Sequence, residues 1–403
     1  MRAVEEGRLS VRSASFENHI DRCLGCRACE PVCPAGVEYG QLLEGARAEL
    51  FKTGERHSVT QKLLRFALRH VWLQPSRLKF AFTCARVARA TGIVRLLLKS
   101  KLPRLISGRF EFALALLESS APDSARSALT RPGSDNGRRA ATRGGAGAPV
   151  LLFKGCVTEG LFSRVNQATA RVLEVNGFAT RAPAKQGCCG ALHAHAGDIA
   201  GARQLAEQNL EAFKAHDDLP IITNAGGCGA MLASYAHLFA GDEPFAERAR
   251  AFSNRVRDVS QQLAMTGIKM GAAIGSDGVT YDASCHLING QHAGDAPLEM
   301  LKAIADLKFV PLTGSDRCCG GAGVYNLMEP ELSAAVLDEK LNRIRESGAA
   351  TLATGNPGCH MQIGAGAMLA GCSLEVCHPV ELLDESYRRA GLYDQSRNAD
   401  LRI

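Results

Sequence analysis

The second half of the chain contains the same arrangement of cysteines twice, and this repetition is the strongest constraint on the fold. Each copy has a single cysteine, then an adjacent Cys-Cys pair followed by glycine, then another single cysteine. Matching cysteines lie 129 to 131 positions apart. Since this period is too long for a solenoid repeat, it predicts two similar lobes made by a tandem duplication. The copies are C-x31-CC-x38-C, formed by Cys156, Cys188, Cys189 and Cys228, and C-x32-CC-x39-C, formed by Cys285, Cys318, Cys319 and Cys359.

Short apolar runs precede these cysteines, at the points where strands would give way to helices. In the first copy the runs are PVLLF, GFATRAP and LPIITN, and in the second they are GVTYDAS, LKFVPL and AATLATG. Strands that alternate with helical segments predict βαβ units and a mainly parallel sheet. We therefore predict an α/β fold with one lobe at 149–270 and a second at 277–390. Because parallel strands end at a common edge, the four thiols of each lobe should converge there.

The adjacent Cys-Cys pairs leave more than one chemical interpretation open. Neighbouring Cα atoms lie ~3.8 Å apart, below the ~4.4–6.8 Å usual for a disulfide, so a permanent bridge within the pair would be strained. A reducible redox couple and simple packing of small apolar side chains remain alternatives. Packing alone does not explain why further cysteines stand at the other strand ends of both lobes. The pattern favours an iron–sulfur or redox role.

A different cysteine pattern lies near the start of the chain. Cys23, Cys26, Cys29 and Cys33 form C-x2-C-x2-C-x3-C-P, the run found in bacterial ferredoxins. The run predicts a ferredoxin-type [4Fe–4S] domain at 1–50. Structural zinc is the alternative, although zinc sites usually place a loop between two C-x2-C pairs.

In two-cluster ferredoxins the fourth cysteine of such a run serves the other cluster. The sequence has no second run, and the twenty-two residues before Cys23 contain no cysteine. Three explanations of the missing fourth ligand are open: a complete cluster on all four cysteines, a fourth ligand from elsewhere in the chain, or a missing upstream run. Our hypothesis is the last, and it predicts that an upstream-extended version holds more iron and sulfide at this site.

The region at 51–120 is strongly basic. Residues 52–110 contain 14 Lys and Arg but one acidic residue, and apolar side chains interleave with them at helical spacing. This predicts basic amphipathic helices that are broken near Pro75, Gly92 and Pro103. The basic face suits an acidic partner or an anionic membrane surface, and a solvated face is the third alternative. No nucleic-acid-binding motif accompanies the charge, so nucleic acid is not expected as a partner.

Composition narrows the class of protein further. The 403 residues are 46% apolar and 22% charged, which is typical of a globular protein. A stretch rich in Gly, Ser, Arg and Ala predicts a flexible linker at 121–148. Fifteen cysteines in a long chain without a recognisable signal peptide indicate a reducing, cytoplasmic setting. No apolar stretch approaches the ~18 residues that a spanning helix needs.

Taken together, these motifs resemble the glycolate oxidase iron–sulfur subunit family, within a broader group that has paired CCG domains. The broader group includes heterodisulfide reductase subunits, the C subunit of anaerobic glycerol-3-phosphate dehydrogenase and lactate-utilisation proteins. The resemblance covers nearly the whole chain. It is carried by HIDRCLGCRACEPVCPAGVEYG, GCCGALHAHAGD, NAGGCGAMLASY, DRCCGGAGVYNLMEPELS and NPGCHMQIGAG.

The resemblance implies [4Fe–4S] clusters and electron transfer from flavin-containing glycolate oxidase subunits toward a membrane acceptor of the quinone type. It places the oxidation of glycolate to glyoxylate in the partner, so we expect no flavin or NAD on this chain. The basic residues 52–110 are a candidate contact with an acceptor at the membrane surface. We expect a cytoplasmic location, with peripheral attachment to the inner face of the membrane left open.

Three other functions stay open. The chain resembles subunits of other CCG oxidoreductases, of the glycerol-3-phosphate or lactate type. A disulfide or quinone reductase acting at its own CCG site is the second alternative, and a zinc or thiol protein used for assembly is the third. The sequence departs from the heterodisulfide reductase pattern, because Gly-Ala-Met follows Cys228 and His-Met-Gln follows Cys359. The fifth cysteine of those lobes is therefore absent.

Several other cysteines and histidines have weaker claims to a role. Cys84 is expected to pack against its neighbours. Histidines after a CCG motif are expected to cap or pack, and those after a candidate ligand to pack, tune or ligate. Cys372 and Cys377 lack the C-x2-C-H spacing of haem attachment. The histidines are His193 and His195 in the first group and His286 and His360 in the second.

Overall fold

The computed structural model of the chain describes residues 1–53, 59–121, 147–275 and 277–393. Most of the linker predicted at 121–148 lies outside these described residues. The N-terminal part is helical, with helices Arg2–Glu5, Ala14–Asp21, Tyr39–Thr53, Val59–Ala67, Pro75–Ala90, Ile93–Ser100, Leu102–Ile106 and Gly108–Ser119, and a π-helical turn at Leu68–Trp72.

The breaks between the basic helices fall where proline and glycine predicted them. Pro75 is the first residue of its helix, a position where the missing N–H costs no hydrogen bond. Gly92 precedes the next helix with a φ of 76°, which glycine adopts without strain. Pro103 lies in the first turn of a third helix. Among the described residues, no helix combines the length and apolar character that crossing a bilayer requires.

The first lobe is built on a parallel four-stranded sheet. Its strands are β1 (Ala148–Leu152), β2 (Phe178–Arg181), β3 (Ile221–Thr223) and β4 (Val256–Asp258), in the order β2-β1-β3-β4. The helices between and around them are Cys156–Leu161, Ser163–Val175, Ala191–His195, Ile199–Ala212, Gly226–Ala233, Glu243–Ser253 and Val259–Thr266, with 3-10 turns at Lys214–His216 and Tyr235–Phe239.

The second lobe repeats this plan on a smaller parallel sheet. Its strands are β5 (Val279–Asp282), β6 (Thr351–Thr354) and β7 (Glu375–Cys377), in the order β5-β6-β7. Its helices are Cys285–Gln291, Ala296–Lys302, Tyr325–Met328, Pro330–Ser347, Pro357–Leu369 and Pro379–Arg389. The prediction of an α/β fold with mainly parallel sheets is confirmed.

One predicted strand is wrong. The run LKFVPL forms no regular strand, although Phe309 makes a single parallel bridge to Val279 at the position that β2 occupies in the first lobe. The Val279 N–H donates to the carbonyl of Lys308, and the Val310 N–H donates to the carbonyl of Val279. The next ladder donor in this register would be the N–H of Leu312, but a turn begins at this residue, whose carbonyl accepts from the Ser315 N–H, so the chain leaves the sheet.

The two lobes share one hydrophobic core. Along β1, Leu151 faces a core made by the first lobe, whereas Val150 joins Val279 of the second lobe in a common core. This alternation follows from the two-residue period of a strand. The helices Ser163–Val175 and Pro379–Arg389 also pack across the boundary.

Polar contacts hold the same boundary and the second sheet. Across the boundary, Arg171 donates two hydrogen bonds, of 2.9 and 2.6 Å, to the carboxylate of Asp384. Within the second lobe, Lys340 and Asp282 form a buried ion pair with a 2.8 Å separation. The Lys340 ammonium also donates to the carbonyls of Gly314 and Ser315, which satisfies its remaining hydrogens.

The closest approach between the lobes is made by two short helices that carry cysteines, Gly226–Ala233 and Cys285–Gln291. A Cβ added at Gly290 would lie 2.4 Å from the Cβ of Ala230, and one added at Gly226 would lie 3.1 Å from the Cβ of Leu287. Any larger residue at these two glycines would force the helices apart. Glycine therefore sets the distance between the two halves of the duplication.

Candidate functional site

The four cysteines of the first lobe meet at the carboxyl edge of its sheet. Cys156 opens the helix after β1, the Cys188-Cys189 pair lies in the loop after β2, and Cys228 lies in the helix after β3. The Sγ atoms of Cys156 and Cys188 are 3.3 Å apart. Cys189 is hydrogen-bonded to both Cys188 and Cys228. Gly155 has a φ of 66° and lies against the Cys228 sulfur, so it provides the turn that closes the set.

The second lobe assembles its four cysteines in the same way. Cys285 opens the helix after β5 and is hydrogen-bonded to Cys318. Cys319 is hydrogen-bonded to Cys318 and to Cys359, which lies in the helix after β6. The amide of Asn356 donates to the Cys359 sulfur at 3.3 Å. The convergence predicted for each set of four is therefore present in the structure.

Burial and mutual hydrogen bonding change the pKa values of these thiols, in opposite directions at different cysteines. The hydrogen bond with Cys188 and burial raise the pKa of Cys156 well above its usual 9.0. In the second lobe, hydrogen bonding to Cys318 and burial raise the pKa of Cys285. The hydrogen bonds from Cys285 and Cys319 in turn lower the pKa of Cys318. Full deprotonation of either set therefore requires positive charge within it, which bound metal supplies.

The ferredoxin-type run lies in the irregular segment between helices Ala14–Asp21 and Tyr39–Thr53. The Gly25 N–H donates to the Cys23 sulfur at 3.4 Å. Backbone N–H groups of residues 35–37 donate to the Cys33 sulfur and lower its pKa. Amides directed at thiolate sulfur are the surroundings that cluster ligands require.

The ferredoxin-type run lies against the cysteine-bearing part of the second lobe. The carbonyl of Cys26 accepts a hydrogen bond of 3.0 Å from Asn289, in the helix that begins with Cys285. Cys26 is also close enough to Cys318 for electrostatic repulsion between their thiolates. The lining of a cavity of about 20 Å³ includes a direct sequence neighbour of one cysteine from each set. These neighbours are Gly25, Gly227 and His286.

Asn356 connects the two lobes at the same place. Its side-chain oxygen accepts from the N–H of Gly227, next to Cys228, at 3.3 Å. Its side-chain nitrogen donates to Cys359 in the second lobe. The Gly226 N–H also donates to the carbonyl of Gly355 across the boundary. The lobes therefore meet through the loops that carry their cysteines.

Comparison with known proteins gives this geometry a family. The sequence profile of the CCG cysteine-rich domain matches twice, at residues 150–233 and 279–364. A probable glycolate oxidase iron–sulfur subunit from Bacillus subtilis (strain 168) is 36% identical over 393 residues, which make up 96% of this chain and 86% of the relative. This chain belongs to the glycolate oxidase iron–sulfur subunit family.

Two further relatives show how wide the similarity is. The glycolate oxidase iron–sulfur subunit of Escherichia coli (strain K12) is 28% identical over 93% of this chain and 83% of its own length. Lactate utilization protein A of Oceanobacillus iheyensis is 31% identical over 60% of this chain and 99% of its own length.

The side chains of this family member fit the cluster that the family name implies. Each set offers four thiols, soft ligands that select iron–sulfur clusters or zinc. Amide donors to sulfur are present in the ferredoxin run and at Cys318, which accepts from the Gly320 N–H at 3.4 Å. In the described part of the chain, no group of three or more Cys, His, Asp or Glu has the arrangement that would hold a metal ion. The ligand sets therefore stay a prediction.

A buried acid–histidine group that the sequence did not indicate lies beside the same cavity. Glu44 is 3.3 Å from His195 Nδ1 and 2.7 Å from His237 Nε2. Burial opposes ionisation, but hydrogen bonds from the two histidines hold the pKa of Glu44 well below its usual 4.5. The His195 ring lies 5.4 Å from that of His286. Glu44 therefore fixes the ferredoxin region to the first lobe.

The histidines and the cysteine with weaker claims to a role differ in their surroundings. His193 is fully buried and pairs with Asp198 at 2.9 Å, which confirms a core role. Burial lowers the pKa of His360 to about 3 and that of His286 to about 4. Cys84 is exposed, so the expectation that it packs is wrong.

The two remaining cysteines belong to none of the three sets. Cys377 is buried within β7. Cys372 accepts a hydrogen bond from Arg345 at 3.4 Å. These contacts are typical of structural residues.

Proposed function

We propose that the chain is the electron-transfer subunit of a glycolate-oxidising complex. In this proposal a flavin-containing partner oxidises glycolate to glyoxylate, and this chain delivers the electrons to a quinone-type acceptor at the cytoplasmic face of the membrane. Iron–sulfur clusters, when bound, supply the one-electron steps that link a two-electron flavin donor to an acceptor. The observation that carries the proposal is the assembly of four cysteines at the carboxyl edge of each lobe, with the ferredoxin-type run hydrogen-bonded to the second lobe.

The ligands in this proposal are the twelve cysteines of the three sets. Each lobe holds one [4Fe–4S] cluster on its four cysteines, and the ferredoxin-type run contributes ligands to a further cluster. The ferredoxin set is the most exposed, since Cys29 is exposed and the other three of that set are half-buried. The lobe sets are deeper, and Cys188, Cys189 and Cys319 are fully enclosed. This difference in exposure favours entry of electrons at the ferredoxin-type set. The deeper sets in the lobes would keep water away from their clusters.

The relatives named lactate utilization protein A support a second candidate, in which the partner oxidises lactate. The substrate contacts of either reaction belong to the partner in this proposal. The two candidates therefore differ in the partner and share the cysteine chemistry of this chain.

Anaerobic purification with iron, sulfide and EPR measurements tests the cluster assignment. We expect Cys26→Ser, Cys228→Ser and Cys318→Ser each to lose about four iron atoms, the content of one [4Fe–4S] cluster. Cys84→Ser is the matched control, because this cysteine is exposed and lies outside the sets. A colourless wild-type protein that holds zinc would refute the assignment.

Reconstitution with the flavoprotein partner tests the function. We expect glycolate-dependent reduction of a quinone analogue that needs this chain, and loss of that reduction in Cys26→Ser. Equal rates with and without the chain would contradict the relay. Turnover with lactate but not glycolate would select the second candidate.

A further inference from the structure

The short helix Leu102–Ile106 exposes apolar side chains at the turn between the basic helix Ile93–Ser100 and the helix Gly108–Ser119. Leu105 is 82% exposed, Ile106 is 76% exposed and Leu102 is 54% exposed. The preceding helix adds Ile93 and Leu96, at 54% and 68%. A contiguous group of large exposed apolar residues on a folded chain marks a surface that another phase or partner covers.

The same segment is positively charged throughout. Residues 93–110 contain five Lys and Arg and no Asp or Glu. Lys99, Lys101 and Arg104 are all exposed and alternate along the chain with the apolar residues. Lys101 adopts a φ of 57°, which makes the sharp turn that presents the short helix. The charge complements an anionic surface.

This combination fits lipid better than protein. The cores of protein interfaces are depleted in lysine, whereas helices that lie in a membrane interface place Lys and Arg beside buried Leu and Phe. Long basic side chains can keep their charge at the headgroups while the neighbouring apolar groups insert. We propose that residues 93–110 form a membrane-interface anchor, with Leu102, Leu105 and Ile106 inserted into an anionic bilayer. The inference rests on the proposed function only in placing the acceptor at the membrane.

Vesicle co-sedimentation of the full chain tests the anchor. We expect the wild type to bind vesicles of phosphatidylglycerol and phosphatidylcholine, to bind pure phosphatidylcholine weakly, and to dissociate as salt rises. L105E/I106E should bind at least about 100-fold more weakly, because two large apolar groups are lost from the interface. K99Q/K101Q/R104Q should lose about 100-fold on anionic vesicles and most of the salt dependence.

M265E/M270E is the matched control, since it places the same charges at two similarly exposed apolar residues outside the basic region. It should bind vesicles as the wild type does. Thermal unfolding checks that all variants are folded, and the lipid and salt dependence of the wild type decides the question if one is not.

The anchor proposal is wrong if the wild type does not bind anionic vesicles. It is also wrong if L105E/I106E binds them as well as the control does. L105E/I106E that keeps vesicle binding but loses the flavoprotein identifies a protein interface and also overturns it. The assay needs neither clusters nor glycolate. A failed anchor therefore leaves the cluster measurements intact, and failure of the relay leaves the vesicle result intact.

Discussion

A single methyl group at Gly290 should disturb the contact between the two lobes. The added Cβ would lie 2.4 Å from the Cβ of the buried Ala230 and 3.3 Å from its Cα. Since carbon atoms pack best at ~3.5–4.0 Å, the two helices must part by about 1 Å or more. Overpacking of this kind costs about 1–3 kcal/mol, so Gly290→Ala should lower Tm by roughly 4 °C per kcal/mol for a lobe of this size.

Calorimetry of the single and double variants separates this clash from a general effect of alanine. Ala230→Gly removes the Cβ that the new methyl group meets, so G290A/A230G should recover at least about half of the lost stability. Gly294→Ala is the control, because its nearest neighbour atoms would lie 3.9 Å away. A G290A protein as stable as the wild type, or a double variant no better than G290A, would show that the helices do not meet as described.

Three further predictions concern other sites. Lys340→Met leaves the carboxylate of Asp282 buried without its partner, and should lower the free energy of unfolding by about 3–5 kcal/mol. K340M/D282N should recover part of this loss, and denaturant titration measures both. Burial opposes protonation of His237, but its hydrogen bond to Glu44 raises its pKa above 6.5. The stability that this pair provides should therefore be complete between about pH 4.5 and 6.5 and fall at lower pH as Glu44 takes up a proton. It should also be lost as pH rises through the folded-state pKa of His237, so melting curves of wild type and His237→Asn should converge at high pH. Cys84→Ser should leave the g-values and intensity of the EPR spectrum unchanged, and an altered spectrum would place that thiol at a cluster.

The cysteine positions could be predicted because they depend on local sequence. Apolar runs that lead to a cysteine mark strand ends, and β1, β3, β5 and β6 each end three to five residues before one. The failure at LKFVPL has an equally local cause. Its apolar composition suits a strand, but a turn begins at Leu312, the residue whose N–H would make the next ladder bond.

The arrangement of the three cysteine sets could not be predicted, because it depends on contacts between distant parts of the chain. Glu44 and His237 are 193 positions apart, and nothing in either local sequence indicates the other. Gly226 and Gly290 lie in helices, where sequence alone treats glycine as a weak helix former. Their value for close packing is visible once the two helices are placed against each other.

That packing has a consequence for how the duplicated halves can change. When two copies of a gene segment are fused, each copy is ordinarily free to accumulate its own substitutions. Here the two copies pack against each other with complementary surfaces, since Ala230 in the first lobe fills the space that Gly290 leaves in the second. A larger side chain at one position requires a smaller one at the other. Substitutions at the two positions should therefore be correlated among descendants of the original duplication.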